Sequence, residues 1–167
     1  MNHDAALAPL EQAWRSLDAA VRALPEERFL APLRGWSARD IVAHLIGWNR
    51  HMIEASGSIL RGESPAYYAD APLGYRNLNA AHAAAYSSRS REELLRELEA
   101  SLQELKTFVR SLRMGEIDDS HGVLHYIGRP ATIAGILRSL TQDYRDHAAE
   151  IDELMMVPSS KQPATGN

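Results

Sequence analysis

The chain has 167 residues, of which 45% are hydrophobic and 24% charged, the balance of an ordinary soluble globular protein able to bury one core. A formal net charge of −4 provides no electrostatic footprint for nucleic acid or an anionic membrane surface, so neither is expected as a partner. There is no cysteine, which excludes disulfides, thiolate ligands and cysteine catalysis and fits a reducing cytoplasm.

The N-terminal run lacks the basic start and apolar stretch of a signal peptide. No segment approaches the roughly 20 apolar residues needed to span a bilayer, so the expected location is cytoplasmic. Residues 1–156 read as one helical domain, and the polar, proline-containing 157–167 as a flexible tail.

Helical periodicity dominates. Leu7, Leu10, Trp14, Leu17, Val21 and Leu24 follow one another by three or four residues, and Pro25 ends that first helix. Ser37 and Asp40 spell a capping box, with Trp36 and Ile41 as a hydrophobic staple, so a second helix opens there and runs to about Arg61. The stretch 62–72 is too long and proline-rich for a tight hairpin and reads as a crossover, followed by a short helix over about 73–86. Ser90 and Glu93 form a second capping box ahead of a stripe running from Leu94 to Leu112. An irregular segment over 115–130 follows, with VLHYI as a short extended piece. The last helix begins near Thr132 and carries Ile133, Ile136, Leu137, Leu140, Tyr144, Ile151 and Leu154. The expected fold is all-α, an up-down-down-up four-helix bundle with a long crossover between helices two and three and one short extra helix.

Three polar residues interrupt the apolar stripes. His44 sits seven residues into the second helix, about 10 Å from its start. Asp143 and His147, spaced i, i+4, share one face of the last helix, with His147 about 13 Å from its end. The depths match if those two helices run antiparallel. Two imidazoles and a carboxylate converging on one interior point can hold a divalent metal with positions left open for a substrate. The bland alternative is a core histidine beside a hydrogen-bonded Asp–His pair in which the carboxylate fixes the tautomer.

Other residues carry weaker signals. Trp48, His51 and Tyr144 are candidate contacts to substrate or to a ligating side chain, against a plain reading as core or helix-end residues. Glu150, within a turn of His147, can orient a ligand or lie on the surface. His121 and His125 fall in a segment whose glycines argue against a helix, which reads as a loop over the cavity mouth. Tyr67 and Tyr68 in the crossover can stack on a substrate or pack down on the bundle. No phosphate-binding glycine loop or nucleophile elbow is present.

The run GWSARDIVAHLIGWNRHM resembles the second-helix signature of DinB-like four-helix proteins, and GRPATIAGILRSLTQDYRDHAAEI resembles their last helix. The segment from Arg76 to Leu112 is similar to their third-helix region, and the ClbS/DfsB-like subset matches best. The resemblance implies a bundle, often dimeric, with a metal facing a cavity. Its usual ligands are one histidine on helix two and two on helix four. His44 and His147 stand at two of these positions, and Asp143 replaces the third. Aspartate can ligate zinc, nickel, iron or manganese, but its shorter reach departs from the pattern. The function implied is a metal-dependent transferase, isomerase or hydrolase acting on a small molecule. Without cysteine, any thiol nucleophile would come from a low-molecular-weight cosubstrate. The alternative is a metal-free protein that binds or sequesters a small toxic compound. A homodimer through the leucine-rich 94–112 helix is expected.

Overall fold

A computed structural model describes residues 2–32 and 35–156, so the expected tail at 157–167 lies outside the described residues. Among the described residues there are six α-helices and no β-strand. They are α1 (His3–Ala23), α2 (Glu26–Leu30), α3 (Ala38–Leu60), α4 (Arg76–Ala85), α5 (Arg91–Ser111) and α6 (Ile133–Met156). A 3-10 helix, Ala66–Leu73, occupies most of the expected crossover.

Both capping boxes form. Ser37 Oγ accepts from the Asp40 amide at 3.2 Å, and Asp40 Oδ2 accepts from the Ser37 amide at 3.0 Å. Ser90 and Glu93 repeat the arrangement at 3.3 and 2.8 Å. Each box satisfies amides that an isolated helix start would leave without partners. Thr132 serves α6 in the same way, its hydroxyl accepting from the Gly135 amide at 3.0 Å. The sequence reading did not anticipate α2, a short turn after Pro25 that buries Phe29. VLHYI forms no strand: Leu124 makes one isolated antiparallel bridge with Pro130, and Tyr126 and Ile127 lie in a turn.

The core is built from the predicted stripes. Leu7, Leu10, Leu17 and Val21 of α1 are buried, as are Leu94, Leu98, Leu102 and Leu105 of α5. α1 packs chiefly on α6, and α3 on α5. Because α5 buries its leucines within the chain, they are not free to form the expected homodimer face.

α3 and α6 meet in opposite order: Trp36 and Ile41 share a cleft with Glu150 and Leu154, whereas Met52 shares one with Ile136 and Leu140. One buried polar network fixes this register. Asn49 Nδ2 donates to Ser101 Oγ of α5 and to Tyr144 Oη of α6, both at 2.9 Å. All three residues are fully buried, so each lost bond leaves a polar atom out of reach of water.

α4 differs from the other elements. It buries no residue and packs on α3 and the 3-10 helix. Its anchor is His82, whose ring fills the space beside Gly47; a Cβ at position 47 would overlap that ring. Burial, and after it the nearby His44 and His51, pushes His82 down to about 4 from the ordinary 6.5.

Three outcomes follow from this packing. Asn49→Ala should destabilise the chain by about 1–3 kcal/mol in urea unfolding, and Tyr144→Phe by less. Helix propensity alone makes Gly47→Ala stabilising by about 1 kcal/mol. The notch predicts instead faster hydrogen exchange in α4, restored in the Gly47→Ala/His82→Ala double variant. The unfolded chain protonates His82 near 6.5 and the folded chain only near 4. This residue therefore makes stability fall as pH drops through that window, and melting temperatures of His82→Phe should show a shallower decline.

Candidate metal centre

His44 lies on the inward face of α3 and is 5% exposed. Its Nε2 is 3.1 Å from Asp143 Oδ2, and the other carboxylate oxygen, Oδ1, is 3.5 Å from His147 Nε2. The two imidazoles stand edge to face with centroids 5.1 Å apart. The structure thus brings together the three residues that the sequence placed on two distant helices.

The fit to a metal can be tested on these distances. A tetrahedral ion with bonds of about 2.1 Å holds its ligand atoms about 3.4 Å apart. Asp143 makes two edges near that length, and one donor atom from each of the three residues lies within 4.8 Å of the others.

The hydrogen bonds around the cluster sharpen the argument. Glu150 Oε2 lies 2.8 Å from His147 Nδ1, and an ionised carboxylate only accepts, so Nδ1 carries the hydrogen. In the neutral ring Nε2 then keeps its lone pair, and it lies 3.5 Å from Asp143 Oδ1. Two electron-rich atoms so placed call for a cation between them, either a proton on His147 or a metal ion. A ligating histidine that gives its remaining N–H to a carboxylate is the usual arrangement around protein-bound metals. His44 lacks such a partner, its Nδ1 being buried without a hydrogen bond.

Asp143, 38% exposed at its side chain, connects the cluster to open space. A cavity of about 390 Å³ lies on one side, within the small-molecule range. Its walls include His44, Trp48, Tyr67, Tyr68, Tyr75 and Tyr126. A second cleft of about 290 Å³ touches the other side, between Trp36, Ile41 and Leu154.

The remaining candidates separate cleanly. Trp48 lines the cavity and donates its indole N–H to Asn79 at 3.0 Å. His51 sits behind that wall, edge-on to Trp48 and Tyr67, and burial lowers its pKa. Tyr144 takes no part in the wall; it is fully buried and bonded to Asn49, because its position beside Asp143 turns it into the core. His125 lines the cavity, whereas His121 is exposed with a positive φ of 47°. His82 and Asn79 were missed by sequence reasoning. The available signal was Gly47 within a run of bulky residues, which marks a close approach by another element.

Solved structures share this architecture. The colibactin self-resistance protein ClbS, crystallised in complex with a double-stranded DNA, superposes with a TM-score of 0.75 at 16% identity, over 94% of this chain and 97% of that one. The sibling lethal factor precursor DfsB gives 0.75 at 16%, over 93% and 96%. No match is found among curated proteins.

The ClbS complex corrects one expectation. Nucleic acid was excluded on net charge, yet a protein of this fold is seen bound to duplex DNA. Net charge is a sum over the whole surface and does not fix the potential of any one face, so −4 cannot carry the exclusion. No helix among the described residues is long and apolar enough to cross a membrane. The DinB superfamily model matches residues 9–151, and the chain belongs to that superfamily.

Proposed function

We propose that this chain is a metal-dependent enzyme of the DinB superfamily acting on a small molecule, with His44, Asp143 and His147 as ligands of a divalent transition metal. The observation that carries this reading is that one donor atom each from His44, Asp143 and His147 lies within 4.8 Å of the others, with the second ring nitrogen of His147 engaged by Glu150. Zinc, nickel, iron and manganese all suit two imidazoles and a carboxylate. When bound, such an ion polarises a carbonyl or lowers the pKa of a coordinated water or thiol.

The protein's own residues would supply the rest. Glu150 holds the His147 tautomer, and Trp36 and Trp48 pack edge-on to His44 at 5.1 and 6.1 Å, keeping its ring in place. The cavity receives the substrate beside Asp143. With no cysteine in the chain, a thiol nucleophile would have to enter as a small cosubstrate. Transferase, isomerase and hydrolase chemistry all remain compatible with this arrangement.

A second reading is supported by the 3.1 Å His44–Asp143 contact, which can stand without a metal as a hydrogen bond. The cavity then binds or sequesters a small molecule in the manner its likeness to a self-resistance protein invites.

Metal analysis of protein purified under metal-replete conditions separates the two. The enzyme reading expects about one ion per chain, lost in His44→Ala, Asp143→Ala and His147→Ala while circular dichroism stays helical. Glu150→Ala should weaken metal affinity by about 10–100-fold without abolishing it. A metal-free wild type whose ligand binding survives all three substitutions would establish sequestration instead. Duplex DNA belongs among the ligands tested.

A further inference from the structure

The cavity beside the cluster has two unlike walls. One is aromatic and is assembled from separate elements: Trp48 of α3, Tyr67 and Tyr68 of the 3-10 helix, Tyr75 at the cap of α4, and Tyr126 of the 115–130 segment. The other is a face of α6 made by Thr132, Gly135, Ser139 and Asp143, three or four residues apart. The first three of these are small and leave the space between the walls open.

The rings of the aromatic wall are tied to one another edge to face. Trp48 meets Tyr67 and Tyr75 at interplanar angles of 83° and 85°, and Tyr68 meets Tyr126 at 76°. Such edge-to-face contacts are favourable and hold the rings in place. Tyr67, Tyr68 and Tyr75 are only partly buried, and Tyr126 is 51% exposed. Leaving so many large rings half open forfeits burial that a purely structural cluster would gain.

Backbone strain points the same way. Tyr75 holds a left-handed φ of 58°, a conformation that costs an L-residue with a bulky side chain and that clusters at binding sites. Glycine would fill that position without strain, yet the chain places an aromatic ring there.

Burial acts on the titratable groups of the wall. Burial raises the phenols of Tyr67 and Tyr75 above their ordinary value; burial, and after it the charge of Arg129, lowers His125. The lining also carries charge, with Asp143 and Asp146 from α6 and Arg129 from the same 115–130 segment as Tyr126.

We propose that this cavity takes a planar, conjugated small molecule, its ring system held between the tyrosine wall and the Gly135–Ser139 face of α6. The placement of its reacting group at His44 and Asp143 rests on the proposed function; the grip on the ring rests on the aromatic wall alone.

A matched pair of probes tests this on the full chain. 2-Naphthol and its saturated counterpart decahydro-2-naphthol share a size and a hydroxyl but differ in π character. Titration calorimetry should show 2-naphthol binding about tenfold tighter, the advantage expected when ring contacts add to area burial. Tyr67→Leu and Tyr126→Leu should bring that ratio toward one with unchanged helical content. Equal affinity for both probes, no binding of 2-naphthol, or an unchanged ratio in both variants would overturn the assignment. Metal content read on the same samples keeps the two ideas apart. A metal-free wild type that still prefers 2-naphthol refutes the metal reading and upholds this one.

Discussion

The carboxylate of Asp143 is the constraint around which the site is organised. It reaches His44 with one oxygen and His147 with the other, so a side chain on α6 ties an imidazole on α3 to one on its own helix. Both contacts hold only if the two helices do not slide. The adjacent residue provides that lock. Tyr144, one position on, is pinned in the core by Asn49, five positions after His44. A slip of one helical turn, about 5.4 Å, would break both the core network and the cluster.

Most of this was visible in the chain itself because it depends on local periodicity. The capping boxes at Ser37 and Ser90 and the stripes of α1, α5 and α6 are short-range patterns. The depth of His44 and His147 along their helices correctly brought them together, since helical rise is uniform. What escaped depends on contacts between segments far apart in sequence. His82 sits in a run of alanines with nothing local to mark it, and only its position beside Gly47 gives it meaning. Tyr144 shows the opposite failure. It lies on the apolar stripe next to a site residue, and spacing alone does not tell a core tyrosine from a wall tyrosine.

Net charge misled for a similar reason. It is an average, whereas recognition depends on a particular face. The leucines of α5 likewise seemed numerous enough to serve both a core and a partner, but the single chain buries them.

The division between α4 and the four long helices has a consequence for how such a protein changes over time. The bundle's cohesion comes from α1, α3, α5 and α6, whereas three of the four tyrosines facing the ligand cavity come from the 3-10 helix and the α4 cap, which bury nothing fully. If the cavity binds the proposed ligand, exchanging those rings would alter what it admits while leaving the fully buried core residues in place, so selectivity would drift more readily than the bundle itself.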